Sequence, residues 1–103
     1  MHPEIAQNLP RIAAICQRFG VCRLEVFGSA ARSEDFEPGR SDVDFLVEFA
    51  PETPAGLHSF FGAKEALEQL LGRSVDLVEP GALRNPYVRA SIDRSREPVY
   101  AAA

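Results

Sequence analysis

Two aspartates one residue apart, Asp42 and Asp44, are the side chains of this chain best placed to do chemistry. They stand at the start of an apolar run over 45–47, which is typical of a buried strand. On a strand, residues i and i+2 face the same side, roughly 6.6 Å apart along the chain. Two carboxylates so placed repel each other unless a cation lies between them. Mg²⁺ prefers oxygen ligands and commonly binds together with substrate phosphates, so it fits this pair.

Two further features accompany the pair. Gly28 and Ser29 follow another apolar run, and their backbone N–H groups and hydroxyl are suited to a phosphate. Asp76 interrupts the apolar segment 75–78, where a carboxylate is costly without a partner. If the strands are neighbours, three carboxylates share one face, as metal-assisted phosphoryl or nucleotidyl transfer requires. Taken alone, the aspartate pair is more simply interpreted as two exposed turn residues.

The pattern along the chain indicates the order α-β-(α)-β-α-β-α-β. A helix is predicted over 3–19, with a kink or a later start near Pro10, and a short helix is predicted from residue 30. A longer helix from Leu57 ends at Gly72, and a last helix covers 85–93. Strands are predicted over the ranges 21–27, 42–49, 74–78 and 98–101, the last at an edge. This order predicts an α+β fold, a small mixed sheet of three or four strands flanked by helices.

The composition bounds the class of protein. With 103 residues we expect a single domain over 1–103. The net charge is −4, Lys64 is the only lysine, and no basic run occurs, so we expect no direct binding of nucleic acid. Cys16 and Cys22 are expected to be buried free thiols. No stretch has the apolar length of a membrane span, and we expect a cytoplasmic protein without membrane contact.

The aromatic side chains outside the strands have a simple interpretation. Phe60 and Phe61 lie in the long predicted helix and are expected in the core. Tyr87 and Tyr100 are also expected to pack, although a tyrosine hydroxyl can be modified.

Three segments together resemble a known family. They are Gly28-Ser29-Ala30-Ala31-Arg32, Ser41-Asp42-Val43-Asp44-Phe45-Leu46-Val47 and Val75-Asp76-Leu77-Val78. This combination closely resembles the minimal nucleotidyltransferase (MNT) family of the DNA polymerase beta-like nucleotidyltransferase superfamily. The spacer between Ser29 and Asp42 is twelve residues, two more than in the commonest form of the family. Loops tolerate such insertions, so the difference concerns substrate contacts of the loop more than the metal site.

The resemblance implies roles for the carboxylates. Asp42 and Asp44 match the two metal-binding carboxylates of the family, which hold Mg²⁺. Asp76 matches the third carboxylate, a metal ligand or a general base.

The resemblance also implies a nucleotide site for ATP. Gly28 and Ser29 match the turn that holds the β- and γ-phosphates, Gly28 by allowing close approach and Ser29 by donating a hydrogen bond. Arg32 matches an arginine of the family that pairs with phosphate or anchors the loop.

The family implies a biological role as well. Proteins of this kind are similar to antitoxins that transfer AMP from ATP to a tyrosine of a HEPN-domain ribonuclease toxin and so silence it. Two alternatives remain open at this point. One is a non-catalytic antitoxin that acts by binding the toxin. The other is a nucleotidyltransferase that acts on RNA or on a small molecule.

Overall fold

The fold is an open four-stranded sheet with helices, seen in a computed structural model that describes residues 2–28, 42–51 and 57–102. In chain order the elements are α1 (Pro3–Ala6), α2 (Leu9–Phe19), β1 (Val21–Phe27), β2 (Val43–Phe49), α3 (Leu57–Leu71), β3 (Val75–Val78), a 3₁₀ turn (Pro80–Ala82), α4 (Pro86–Ser95) and β4 (Glu97–Ala101). The helix predicted from residue 30 lies outside the described residues.

The strands are arranged in the order β3-β2-β1-β4. β1 pairs antiparallel with both β2 and β4, whereas β2 and β3 are parallel. The sheet is therefore mixed, and β4 lies at an edge as predicted. The predicted α+β fold with a small mixed sheet is confirmed.

The predicted first helix is divided into α1 and α2. Pro10 lacks an N–H and cannot occupy a helix interior without a lost hydrogen bond. The break after Ala6 places Pro10 in the first turn of α2, where no intrahelical bond is lost. Gly20 ends α2 in the left-handed conformation, with its N–H donating to the carbonyl of Cys16. The expected disruption near Pro10 is confirmed.

The sheet has two faces of different character. One face, the covered face, packs against α2 and α3, and its strand residues alternate with those of the other face. Its strand side chains that join the core with those helices are Leu24, Val26, Val43, Phe45, Val47, Val75 and Leu77. The opposite face, the open face, carries Glu25, Phe27, Asp44, Glu48 and Asp76, together with the buried Leu46. Apolar burial on one face therefore leaves the other free for charged groups.

Packing expectations for the aromatic residues hold only in part. Phe60 and Tyr100 pack against the core as predicted. Phe61 is 53% exposed and Tyr87 is 85% exposed, so both predictions were wrong. Phe61 forms a T-shaped ring pair with Phe60, and Tyr87 lies in the first turn of α4, a helix with Ile92 as its one buried side chain.

The cysteines are free thiols, as predicted. Cys16 is buried, and this burial raises the pKa of its thiol to about 12. Cys22 is only half-buried, so the prediction of burial was wrong there. Among the described helices, none combines the length and apolarity needed to cross a membrane.

Candidate active site

Asp44 lies at the centre of the candidate site because its strand lies between two others. β2 is flanked by β1 and β3, and Asp44 is opposite Phe27 on one side and Asp76 on the other. Parallel register between β2 and β3 makes Asp44 and Asp76 share the open face. Asp42 is exposed directly before β2, two residues from Asp44, and its charge acts on Asp44. The three predicted carboxylates thus occupy one end of one face.

The electrostatics of Asp44 reflect this crowding. The pKa of its carboxyl group is raised from 3.8 to about 6, and burial is the largest cause. The charge of Asp76, a hydrogen bond between the two carboxyl groups, and the charge of Asp42 contribute to the same shift. A proton or a cation at this point would relieve the repulsion.

Gly28 closes the site on the β1 side. Its φ of +73° lies in the left-handed region, which favours glycine over other residues. A Cβ atom at this position would lie 2.9 Å from Oδ2 of Asp44, closer than such atoms ordinarily approach. Gly28 therefore allows the end of β1 to come close to the carboxylate of Asp44.

The backbone N–H of Gly28 has a different use from the one predicted. The sequence suggested that this donor would be free for a phosphate. In the structure it donates to Oγ of Ser95, at 3.1 Å, across 67 positions of the chain. Of the phosphate-binding groups predicted at this turn, the Gly28 N–H is thus already engaged.

Contacts from α3 fix the start of β3 next to the site. The carboxylate of Glu68 accepts a hydrogen bond from the N–H of Val75 at 3.1 Å and forms an ion pair with Lys64 at 3.1 Å. The hydrogen bond from Val75 is the largest cause that lowers the pKa of Glu68, and the contact with Lys64 lowers it as well. The Glu68 carboxylate is therefore charged at neutral pH. Because Val75 precedes Asp76, this bond helps to hold the third carboxylate in register with Asp44.

A groove of about 260 Å³ adjoins the Gly28 turn. Its walls come from the end of β1 and from one side of α4, and it is lined by Phe27, Gly28, Val88, Ser91, Ile92 and Ser95. A larger hollow of about 350 Å³ lies by the other end of β2, against Val47, Glu48 and Glu79. The smaller groove is the one beside the carboxylates, and we regard it as the functional one for that reason.

The predicted residues fall into two groups. Gly28, Asp42, Asp44 and Asp76 come together at one end of the sheet, whereas Ser29 and Arg32 lie outside the described residues. Sequence reasoning missed Ser95, because the last helix was predicted to end at residue 93. A serine two positions before a strand carries no signal by itself.

Comparisons with known proteins agree with this geometry. A family model described as a nucleotidyltransferase domain matches residues 11–98. A protein adenylyltransferase, MntA, of Thermococcus cleftensis is 44% identical over 84 residues, covering 82% of this chain and 78% of the relative. A solved structure of a candidate minimal nucleotidyltransferase is 36% identical, with a TM-score of 0.74 and coverage of 95% of this chain and 96% of that one.

One further solved structure shows the fold alone. It is the complex of an MNT antitoxin with a tri-AMPylated HEPN toxin from Shewanella oneidensis. That structure has a TM-score of 0.63 at 16% identity, and the match covers 95% of this chain and 73% of that one. Because the family model spans most of the chain and the more similar relatives match it over most of their own length, this chain belongs to the nucleotidyltransferase domain family, as a minimal nucleotidyltransferase.

Proposed function

We propose that this protein transfers AMP from ATP to a tyrosine hydroxyl of a partner protein, and that the partner is a HEPN-domain toxin silenced by the transfer. The observation that carries the proposal is the contact of Asp44 with Asp76 beside the Gly28 turn. It gathers oxygen ligands and a glycine turn at one end of the open face. The relative named a protein adenylyltransferase and the fold shared with an MNT antitoxin support the same activity.

The donor set suits Mg²⁺. The three aspartates offer only oxygen ligands, which a small hard cation prefers. The raised pKa of Asp44 means that the folded protein favours an added positive charge at this point. Within the described residues, no three acidic, His or Cys side chains form a complete cluster for a metal. Asp42 and Asp44 would therefore hold the ion together with phosphate oxygens, and the ion would neutralise charge on the triphosphate.

The carboxylates have different positions and hence different proposed roles. Asp44 is flanked by strands on both sides, whereas Asp76 is exposed on β3, the edge strand of the sheet. A protein acceptor can therefore reach Asp76, and we assign this residue as the base that accepts the tyrosine proton. The tyrosine oxygen forms a bond to the α-phosphorus, the bond from that phosphorus to the bridging oxygen breaks, and pyrophosphate leaves.

The proposed setting is the cytoplasm. ATP and Mg²⁺ are present there, and thiols remain reduced. The two free cysteines and the net charge of −4 are compatible with this setting and with a basic protein partner.

The test is a transfer assay with α-³²P-labelled ATP, Mg²⁺ and the product of the neighbouring gene. Asp44→Asn removes one oxygen ligand from the site. Glu48→Gln is its matched control, because Glu48 lies on the same face of the same strand, about 13 Å further along. We expect label on the partner with wild type and Glu48→Gln. Asp44→Asn should reduce the rate by about 100- to 1,000-fold, since it removes charge stabilisation in the transition state.

Other outcomes would separate the alternatives. An unlabelled partner that still forms a tight complex with wild type and Asp44→Asn would mean that the protein inhibits by binding. Label on RNA or on a small molecule in the absence of any partner protein would mean that the acceptor is of that class rather than a protein.

A further inference from the structure

Ser95 is the contact through which α4 reaches the Gly28 turn. Its Oγ accepts the N–H of Gly28 at 3.1 Å, and the bond is partly buried. The serine also lines the groove that ends at this turn. Its hydrogen bond to the Gly28 N–H links it to the turn beside Asp44, so we expect its effect on chemistry to pass through Gly28.

The geometry of the hydroxyl fixes the direction of this bond. The only hydrogen of the Ser95 hydroxyl is directed back into α4, towards the carbonyl oxygens of Ile92 at 3.4 Å and Ser91 at 3.5 Å. A serine in a helix commonly donates to carbonyls three or four residues earlier. Its lone pairs are then left to accept the N–H of Gly28.

The position of Gly28 matters because little space separates it from Asp44. An added Cβ at Gly28 would meet Oδ2 of Asp44 at 2.9 Å. A small displacement of the Gly28 backbone therefore changes the room available to the Asp44 carboxylate. The φ of +73° at Gly28 is also a conformation that glycine leaves easily, since glycine can adopt many other backbone conformations. An acceptor for the Gly28 N–H is one way to hold that conformation.

We infer that Ser95 is a positioning residue of the nucleotide site, which fixes the Gly28 backbone beside Asp44 so that the turn is formed before ATP binds. The inference rests on the proposed function, because it assigns Ser95 to the same site. Preorganised groups bind more tightly because less conformational freedom is lost on binding.

A purely structural role for Ser95 is the competing explanation. The next residue, Arg96, already joins the end of α4 to β1 through an ion pair with Glu25 at 3.0 Å. The helix is thus tied to the strand without Ser95. The additional bond from Ser95 is directed at the backbone position where a Cβ would meet Asp44, which favours a positioning role.

The experiment compares three substitutions. Ser95→Ala removes the acceptor. Ser59→Ala is the control for replacing a helical serine, because Ser59 lies on α3 and does not line the groove. Ser95→Thr keeps the hydroxyl and tests for rescue. Hydrogen exchange of the Gly28 amide, affinity for AMP-PNP with Mg²⁺, and KM and kcat for ATP are measured for each.

We expect Ser95→Ala to speed exchange of the Gly28 amide and to weaken AMP-PNP binding by about three- to tenfold, the effect of one neutral hydrogen bond. KM for ATP should rise more than kcat falls. Ser59→Ala should match wild type, and Ser95→Thr should restore most of the affinity.

Two results would overturn the positioning role alone. One is an unchanged rate of Gly28 exchange in Ser95→Ala. The other is faster exchange with unchanged AMP-PNP affinity and KM, which would make Ser95 a structural tie only. Wild-type protein that binds no nucleotide would overturn the proposed function, and the positioning role with it, whatever the exchange rates are.

Discussion

The covered and open faces of the sheet differ in how they are held. The covered face is apolar and packs against two long helices, with side chains such as Phe45 fully buried. The open face carries carboxylates, and α4 is attached there by one buried side chain, Ile92, with polar contacts from Ser95 and Arg96. The main apolar core and the candidate site are therefore separated across the thickness of one sheet. Substitutions on the two faces should therefore have separable effects.

The largest expected effect is on the covered face. Phe45→Ala removes a fully buried ring between the sheet and its helices. It should lower the free energy of unfolding by about 3–5 kcal/mol, measured by urea denaturation. Phe61→Ala is the matched control, because that ring is half exposed, and it should cost about 0.5 kcal/mol or less. Equal losses for both variants would mean that the covered face is not the main source of stability.

The second effect concerns the open face and activity. Gly28→Ala forces a methyl group against Asp44 and should slow AMP transfer by about 100-fold, since small displacements at a reacting centre have effects of this size. Gly72→Ala is matched in backbone strain, with φ of +67°, yet a Cβ there has no atom within 4 Å. Both variants should lose about 1 kcal/mol of stability, and only Gly28→Ala should lose activity. A Gly28→Ala enzyme as active as Gly72→Ala would contradict the close approach.

A third effect tests how the open face holds α4. Arg96 pairs with Glu25, the one buried charged residue of the described chain. Arg96→Ala leaves that carboxylate without this partner and should cost about 1–2 kcal/mol of unfolding free energy. This is less than for a fully buried pair, because Arg96 is partly exposed. Arg94→Ala is the control, because this exposed arginine lies two positions earlier, and it should change the free energy of unfolding little. Adding Glu25→Gln to Arg96→Ala should recover part of the loss, as a double-mutant cycle in urea would measure.

The smallest effect is a dependence of stability on pH. Asp44 has a pKa of about 6 in the folded protein, against 3.8 ordinarily, so the folded state binds this proton more tightly than the unfolded state. Its contribution to stability is complete below about pH 4 and is lost as the pH rises through 6. Between pH 4 and 7, the Tm of wild type relative to Asp44→Asn should fall by a few degrees, as thermal unfolding without divalent ions would measure. A constant difference in Tm would contradict the raised pKa.

Much of this fold can be predicted from residue patterns, because apolar alternation and glycine stops are strong local signals. The bounds of β1 and β2 follow their apolar runs to within a residue, and Gly20 and Gly72 end helices as expected. The sequence predicts that Asp44 and Asp76 are adjacent only if β2 and β3 are neighbouring strands. Strand pairing over such a distance along the chain is not encoded locally, and the structure was needed to establish it.

Two of the errors, the exposure of Tyr87 and the end of the last helix, lie in α4 and have a common physical reason. This helix has one buried side chain, so its apolar periodicity is too weak to mark its end or its inner face. Tyr87 was assigned to the core by residue type, although its position on the helix turns it outwards. Ser95 could not be identified, because its role depends on a contact 67 positions away in the chain.

The central position of β1 has a consequence for the order of events during synthesis. β1 lies between β2 and β4, and the turn at its end is held by Ser95, so residues made early depend on residues made late. Contacts between distant parts of a chain form slowly, because a long loop must close first. A nascent chain on the ribosome is therefore expected to complete the Gly28 turn only after residues 86–101 have emerged and β4 has paired. Under the proposed function, adenylyl transfer would then begin only once the end of the sheet has formed.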